Sequence, residues 1–484
     1  ATSVTLDKLI NDKNYYFSLT ANYEKGASEP ATAKAMPTLA IPYILDRDKA
    51  AKNQPITFSF NTEDYPTATD VKWTFPGDVV KEGTVGTQTV KLNATIDGNA
   101  RSWTLEVEIR EYVIYSTDWA QDGSNYNGFK GTCPVFSPDG KTVYIITFNK
   151  VSALYAFDVV TGNEKWRYLP TSKSGSYNML TVNPVTGDIY YGTTSAGQFY
   201  AITPEGELKW IFSEAGSMKS AAPAVNANGT VVYICDALGK AFAIDAASGQ
   251  KKWQFSAGDA GRGLLVNGSE LLIGTQTDAF FVNIETGEQI AKVTLGCEMS
   301  DITGFAVNSD KTLAYFGGRN GYIGAVNIKT HEAIKSLVVE KDNPNLLYEP
   351  VVAPNGSVFA GSKNGSVYNV KGDLSAVNWE YVHTGSSLAN AFNYSHPCVD
   401  SENRFYITSG QTSNTTYIFD ASGNVVDSWT YESGDNNQKQ MGGNNYLDGV
   451  IYSAFIGGSS KNGVFVGKYV GGERASSWST HGGD

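Results

Sequence analysis

The sequence is poor in charged residues and in long apolar runs, and these shortages exclude several classes of protein. Only 18% of the 484 residues are charged, which argues against a disordered chain or a coiled coil. The formal net charge of −12, without any clustered basic run, argues against a nucleic-acid partner. No apolar run approaches the roughly 18 residues that a membrane-spanning helix needs, so we predict no membrane-spanning segment.

Cysteine and histidine are too few and too scattered to predict a metal site. Zinc sites need closely spaced pairs of ligands, and no Cys-x-x-Cys pair occurs. We interpret the four cysteines as isolated buried thiols: Cys133, Cys235, Cys297 and Cys398. Gly-x-Ser-x-Gly and His-Glu-x-x-His are also missing, as is a phosphate-binding glycine loop between a strand and a helix. We therefore predict no metal, no cofactor and no catalytic residue.

Glycine and tyrosine are abundant, at 50 and 28 residues, and much of the chain repeats one strand–turn–strand pattern. The clearest copy is residues 242–253, in which alternating apolar residues precede a turn at Asp245 and Gly249. This copy ends at a tryptophan, and the preceding copies end at Trp166 and Trp210, so the tryptophans are 44 and 43 residues apart. A fixed period of this length with strands alone predicts the blades of a β-propeller.

Eight such units follow residue 113, many of them with an Asn-Gly or Asp-Gly hairpin turn. We predict an all-β, eight-bladed propeller over residues 113–484. Seven blades are the alternative, because residues 113–115 could close the ring beside residues 464–466. The fourth unit has Ala291 in place of the tryptophan, and the fifth has His331 in place of the turn glycine. We predict that the remaining tryptophans dock each blade on the next: Trp166, Trp210, Trp253, Trp379 and Trp429.

Residues 1–112 carry two patterns typical of immunoglobulin-like sandwiches. Residues 1–36 resemble the last three strands of a fibronectin type III domain, with a Tyr-x-Phe-x-Leu-x-Ala strand from Tyr15 and a Gly-x-Ser-x-Pro exit from Gly26. Residues 37–112 predict a small antiparallel sandwich. Its stretch at residues 71–78 resembles the Trp-Asp-Phe-Gly-Asp-Gly signature of PKD modules but departs from it at Thr74 and Pro76. Such modules usually act as spacers or adhesive units.

The Ala-x-Asp-x-x-Thr/Ser-Gly-x-x-x-Trp stretches at residues 156–166 and 243–253 resemble the tryptophan-docking repeats of pyrroloquinoline-quinone-like β-propellers. That family includes quinoprotein alcohol dehydrogenases and the propeller lipoprotein of the outer-membrane β-barrel assembly machinery. The resemblance covers roughly residues 113–484. The dehydrogenases use a disulfide between adjacent cysteines, a calcium site and a catalytic aspartate. None of these motifs occurs in this sequence, so no residue can be assigned to the dehydrogenase chemistry, and we predict a protein that is not an enzyme.

A propeller usually binds its ligand with the loops that join the outer strand of one blade to the inner strand of the next. We call these the axial loops. We predict that they contain the binding residues: Tyr126, Lys130, Tyr177, Lys219, Arg262, Glu298, Asp301, Tyr348, Asn390, Asn393, Tyr394 and Gln438. The longest of them, residues 383–396, mixes amide and aromatic side chains suited to a sugar.

Three hypotheses about function remain open. The first is a non-catalytic cell-envelope protein whose propeller binds a glycan or an envelope protein, with the sandwich modules as spacers. The second is a glycan-active or quinoprotein-like enzyme with a metal or a pair of carboxylates in the axial loops, for which Glu298 and Asp301 are the best pair. The third is a purely structural assembly scaffold. Because the chain starts at Ala1 instead of Met, we expect that a leader, and a possible lipid anchor, preceded it in a secreted or envelope protein.

Overall fold

A computed structural model describes most of the chain, in which every element is a β-strand. The described residues are 15–20, 22–23, 26–27, 29–35, 42–45, 47–75, 85–111, 113–116, 132–147, 152–171, 174–176, 180–194, 197–218, 221–301, 303–340, 346–383, 392, 395–409, 415–430, 443–455 and 464–473. They divide into two compact units. Unit 1 comprises residues 1–48 and 55–108, and unit 2 comprises residues 49–54 and 109–484.

Unit 1 contains three antiparallel pairs of short strands and one larger antiparallel sheet. Its strands are β1 (Tyr15–Leu19), β2 (Asn22–Tyr23), β3 (Gly26–Ala27), β4 (Ala31–Ala35), β5 (Tyr43–Leu45), β7 (Phe58–Phe60), β8 (Thr69–Thr74), β9 (Gly86–Ile96) and β10 (Asn99–Arg110). The intervening β6 (Lys49–Ala51) and the last two residues of β10 belong to unit 2. Strand β1 pairs with β4, β2 with β3, β5 with β7, and β9 lies between β8 and β10. On β9 the alternate residues Val90, Leu92, Ala94 and Ile96 are buried, as the apolar alternation requires.

Trp73 packs among the aromatic residues of unit 1. Its ring lies 5.2 Å from the ring of Phe58 and 6.3 Å from that of Tyr43, which are on the β5–β7 pair. The tryptophan therefore joins the β8–β9–β10 sheet to the β5–β7 pair. The fibronectin-like and PKD-like assignments and the boundaries at residues 36 and 112 stay predictions.

Unit 2 holds eight four-stranded antiparallel sheets in its described residues, and we number these blades in chain order. Blades 1 to 4 are β12–β15 (Val135–Phe136, Thr142–Ile146, Leu154–Asp158, Glu164–Tyr168), β16–β19 (Thr181–Val182, Ile189–Gly192, Phe199–Ile202, Leu208–Phe212), β20–β23 (Ala224–Val225, Val231–Cys235, Lys240–Asp245, Lys251–Ser256) and β24–β27 (Gly263–Asn267, Glu270–Gly274, Asp278–Asn283, Gln289–Thr294).

Blades 5 to 7 continue the same order. They are β28–β31 (Ala306–Val307, Leu313–Gly317, Tyr322–Asn327, Glu332–Val338), β32–β35 (Val351–Val352, Val358–Gly361, Ser366–Val370, Val377–Val382) and β36–β39 (Cys398–Val399, Phe405–Thr408, Thr415–Phe419, Val425–Thr430). Blade 8 contains β40 (Asn444–Leu447), β41 (Val450–Phe455) and β42 (Val464–Tyr469), and its fourth strand is β11 (Val113–Ser116) from the start of the unit.

Blade 8 closes the ring by combining strands from both ends of the unit. Ile114 of β11 pairs with Val466 of β42, which is the strand pairing that the sequence suggested, here as part of an eighth sheet. Blade 8 also packs on blade 1, because Asn445 donates to the carbonyl of Pro134 at 2.8 Å and Tyr452 lies in one apolar cluster with Tyr155. Ring closure of this kind leaves no unpaired end to the series of blades.

In blades 1, 3 and 7 an aspartate and a glycine fix the turn before the outer strand. In blade 3, Asp245 Oδ1 accepts hydrogen bonds from the amide of Ser248 at 2.8 Å and from its hydroxyl at 2.7 Å. The amide of Gly249 donates to the Asp245 carbonyl at 2.8 Å. Gly249 has a φ of 73°, which a residue with a Cβ adopts only at a cost. The side-chain hydrogen bond from Ser248 is the main cause that lowers the pKa of Asp245.

Four of the five predicted tryptophans contact the turn of the following blade. Each indole N–H donates to a backbone carbonyl there, at 2.9 or 3.0 Å: Trp166 to Pro204, Trp210 to Ala246, Trp253 to Ile284 and Trp379 to Ala421. The ring also covers the turn glycine so closely that a Cβ on Gly249 would lie 2.7 Å from Trp210. The glycine is needed for this contact as well as for its φ.

Trp429 departs from this arrangement. Its ring is buried with Tyr446 and Ile451 of blade 8, but its indole N–H has no acceptor among the described residues. The reason is that blade 8 takes its outer strand from β11, so among the described residues no hairpin joins β42 to that strand and presents a carbonyl to Trp429. Instead the ammonium group of Lys468 lies 5.0 Å from the centre of the indole ring.

Candidate functional site

The structure describes four of the twelve predicted binding residues. Arg262, Glu298 and Asp301 lie in the axial loops before blades 4 and 5, where the sequence placed them. Tyr348 is only 1% exposed, so its ring is part of the packed interior and offers no surface for a ligand to stack on. The other eight lie outside the described residues: Tyr126, Lys130, Tyr177, Lys219, Asn390, Asn393, Tyr394 and Gln438.

The structure brings Arg262 and Asp301 together and adds a second arginine. The guanidinium group of Arg262 bonds to Asp301 Oδ1 through Nη1, and Arg319 Nη2 donates to the same oxygen at 2.6 Å. Arg262 precedes β24 and its amide donates to the carbonyl of Gly274 at 2.8 Å, so blade 4 fixes its position. Two arginines from different loops therefore hold one carboxylate between blades 4 and 5.

Glu298 also contacts Arg319, but through its backbone. The amide of Arg319 donates to the Glu298 carbonyl at 2.8 Å, and the Glu298 carboxylate accepts from the side-chain amide of Gln276 at 2.9 Å. We call Arg262, Gln276, Glu298, Asp301 and Arg319 the Asp301 cluster. The cluster contains two basic and two acidic groups. It spans two axial loops and the hairpins between the second and third strands of blades 4 and 5.

Burial increases towards the inside of the Asp301 cluster. The Asp301 side chain is 44% exposed and that of Arg319 is 32% exposed, whereas that of Arg262 is 11% exposed. The Nε atoms of both arginines are buried and have no hydrogen-bond partner among the described residues. Arg262 thus anchors the cluster in the protein interior, while Asp301 and Arg319 are partly exposed to solvent.

Sequence reasoning missed Arg319 and Gln276. Both lie in hairpins between the second and third strands of their blades, and we predicted no role for them from the sequence. A signal was available, because in an up-and-down blade the hairpin between the second and third strands lies at the same end as the axial loops. Alternate connections of an antiparallel sheet lie at the same end of its strands. Polar residues in those hairpins are therefore expected near the axial-loop residues.

The geometry does not favour Glu298 and Asp301 as a hydrolytic pair. Glycosidases use one carboxyl group as a proton donor and another as a base or nucleophile, and both must face the scissile bond. Asp301 Oδ1 is instead occupied by two guanidinium groups, and Glu298 by an amide. In the described part of the chain, no group of three or more His, Cys, Asp or Glu residues could hold a metal ion.

Two ionisable residues of the axial loops are buried and not surface groups. Glu349 and His396 are 2% and 3% exposed, and Glu349 Oε2 lies 3.3 Å from His396 Nδ1. Burial, and after it the charge of Glu349, raises the pKa of the Cys133 thiol. All four cysteines are free thiols, and only Cys297 is partly exposed. These residues pack the inner ends of the blades.

The comparisons agree on the class of protein that this fold defines. Unit 2 is a β-propeller, and its repeats are similar to those of the pyrroloquinoline-quinone-like type. A family model described as outer membrane protein assembly factor BamB matches residues 154–381, from the third strand of blade 1 to the outer strand of blade 6. A search of curated proteins found no match.

Two solved structures show the same fold at low sequence identity. BamB from Moraxella catarrhalis superposes with a TM-score of 0.55 and 13% identity, over 73% of this chain and 98% of that one. The computationally designed Ika8 protein gives 0.54 and 14%, over 71% and 97%. In the described residues, no helix is long and apolar enough to cross a membrane.

Proposed function

We propose that this chain is a non-catalytic binding protein of the cell envelope, in which the propeller docks a protein partner at the Asp301 cluster. The observation that carries the proposal is the cluster itself, in which groups of both charges are fixed on a rigid scaffold and partly open to solvent. Fixed charges of both signs select a partner of complementary charge and set its orientation. The match to the BamB family model supports a protein partner and an outer-membrane-associated location.

The modules of unit 1 are proposed to act as spacers, in accordance with their resemblance to fibronectin type III and PKD modules. A lipid anchor upstream of Ala1 would hold such a protein at the membrane. The glycan hypothesis depends mainly on the loop at residues 383–396, most of which lies outside the described residues. Glycan binding stays a prediction, and a protein partner is the proposal that the described residues favour.

Site-directed photo-crosslinking in the cells that produce the protein tests this proposal. A photo-reactive amino acid at position 298 should capture one discrete protein, while the same group at position 290, on the exposed outer strand of blade 4, should not. Charge reversal by Arg319→Glu should abolish the product at position 298, because it replaces a basic partner of Asp301 with a carboxylate. Equal products at both positions, or a product that survives Arg319→Glu, would contradict the proposal.

A further inference from the structure

The blades differ in how they protect their open edges. The outer strand of a blade has a hydrogen-bonded neighbour on one side only. Such an edge can pair with a strand of another chain, and proteins commonly prevent this with lysine on the edge strand. In the described residues, the outer strands of blades 1 to 5 each carry a lysine: Lys165, Lys209, Lys251, Lys292 and Lys335.

Blade 7 has no lysine on its outer strand but uses another protection. The side chain of Asp427 on β39 accepts a hydrogen bond from the backbone amide of Ser428 at 2.8 Å. A backbone donor of the edge strand is thereby satisfied within the strand itself, and a carboxylate stands where an added strand would approach.

The outer strand of blade 6 has neither protection. Strand β35 reads Val-Asn-Trp-Glu-Tyr-Val, with Glu380 as its one charged residue, and its end residues Val377 and Val382 are 38% and 51% exposed. A bulge leaves Asn378 out of register, and Trp379 to Val382 then pair regularly with β34. An exposed edge that pairs regularly and carries no lysine is the kind that accepts another strand.

The backbone groups on this open edge can be assigned. The amide of His383 donates to the carbonyl of Gly365 at 2.9 Å, and hydrogen-bonded pairs alternate along an antiparallel ladder. Tyr381 and Trp379 therefore bond to β34, whereas the N–H and C=O groups of Glu380 and Val382 point away from it. No partner for those groups is found in the described part of the chain.

We propose that β35 accepts an added antiparallel strand from a protein partner whose residues alternate between apolar and basic. Main-chain hydrogen bonds to Glu380 and Val382 would supply the pairing, as in other complexes formed by strand addition. Val382 offers an apolar contact, and Glu380 selects a basic residue on the partner strand. The net charge of −12 also favours a basic strand over a second copy of this chain. This inference is independent of the proposed docking at the Asp301 cluster.

A labelled hexapeptide that alternates valine and lysine tests the inference on the full chain. Fluorescence anisotropy should show binding, and hydrogen exchange should slow at the amides of Glu380 and Val382. Val382→Lys should weaken binding by about tenfold or more, because a like charge then faces the peptide lysines. Glu380→Gln should weaken it several-fold. Val425→Lys, at a position that is 42% exposed on the outer strand of blade 7, should leave binding unchanged.

Three results would overturn the inference. The first is equal binding of the matching peptide with glutamate in place of lysine. The second is protection from exchange that is spread over all the outer strands. The third is a dimer in light scattering that Val382→Lys dissociates, since the edge would then belong to a second copy. Because Val382 and Glu380 are tested by separate substitutions, a folding defect in one variant leaves the other as a measurement.

Discussion

At some turn glycines a methyl group in place of the hydrogen atom would collide with a docking tryptophan, and at others it would not. Gly287 has a φ of 76°, and a Cβ there would lie 2.7 Å from the ring of Trp253. Gly268 has a φ of 59°, but no atom lies within 4 Å of the position that its Cβ would take. The two glycines therefore share the backbone requirement and differ in the contact.

Comparing these two glycines separates backbone strain from the docking contact. Gly268→Ala should lower the free energy of unfolding by about 1–2 kcal/mol, the usual cost of a left-handed alanine. Gly287→Ala should lower it by about 1–3 kcal/mol more, because the methyl group displaces the indole ring. Urea unfolding of both variants measures the difference. Equal losses would show that the tryptophan contact adds nothing to the glycine requirement.

The turn aspartates predict a loss of stability in acid. Hydrogen bonds to their carboxylates lower the pKa of Asp245, chiefly from Ser248, and that of Asp139, chiefly from Ser137. A lowered pKa in the folded state contributes stability above the unfolded value of about 3.9. That contribution is lost as the pH falls from about 3.9 through the lower folded value.

Asp245→Asn measures this contribution, because asparagine can still accept the hydrogen bonds but does not titrate. Between pH 7 and pH 3 the free energy of unfolding of the variant should fall less than that of the parent chain. Asp427→Asn is the control in the same assay, because Asp427 lies on strand β39 and not in a turn. If Asp245→Asn and the parent lose stability in parallel, this carboxylate does not contribute to the acid sensitivity.

At the scale of elements, the contact between blades 4 and 5 shows a docking pair in a different form. Tryptophan elsewhere pairs with a small residue on the third strand, as Trp253 does with Ala243. In blade 4 the large residue is Phe281 on the third strand and the small one is Ala291 opposite it. The ring of Phe281 lies 4.1 Å from that of His331, which replaces the turn glycine of blade 5.

This rearrangement also explains what the sequence could and could not predict. The strand–turn–strand period, the turn residues and four docking tryptophans follow from spacing, since each depends on residues close in the chain. From the sequence, Ala291 and His331 looked like the loss of a docking tryptophan and of a turn glycine. Phe281 compensates for both, but it contacts Ala291 on a neighbouring strand and His331 on the next blade, and spacing along the chain does not show these contacts. Arg319 was missed for the same reason, because its partner Asp301 lies in another loop.

Restoring the common pair tests the interpretation of blade 4. Phe281→Ala alone should cost about 3–5 kcal/mol, because it leaves a buried cavity between blades 4 and 5. Adding Ala291→Trp and His331→Gly to that variant should recover more than half of the loss, since the indole then covers a glycine as in blade 3. Thermal or urea unfolding gives both values. A triple variant no more stable than Phe281→Ala would refute the equivalence.

At the scale of the whole molecule, the ring depends on how its last strand is held. Arg404 of blade 7 donates to the carbonyl of Gly471 at 2.8 Å and to that of Val470 at 3.3 Å, just after β42. Its Nε donates to the fully buried Asp400 at 2.6 Å. Tyr446 donates to the same Gly471 carbonyl at 2.7 Å. These bonds connect blade 7 to the end of blade 8, where Trp429 lacks a turn to dock on.

Loss of Arg404 should therefore weaken ring closure more than loss of an ordinary surface arginine. Arg404→Met leaves the buried Asp400 without its charged partner, which typically costs about 3–5 kcal/mol. Arg167→Met is the matched control, because Arg167 pairs with Glu164 in a partly exposed i,i+3 pair worth about 0–1 kcal/mol. Urea unfolding measures the two losses.

Hydrogen exchange distinguishes an opened ring from a uniformly destabilised one. In Arg404→Met the amides of β42 and β11 should exchange faster than those of blades 2 and 3, because blade 8 alone joins the two ends of the unit. The Arg167→Met control should leave this order unchanged. Equal acceleration in all eight blades would mean that Arg404 stabilises the propeller as a whole and not its closure, and that the pairing of β11 with β42 is sufficient to hold the ring.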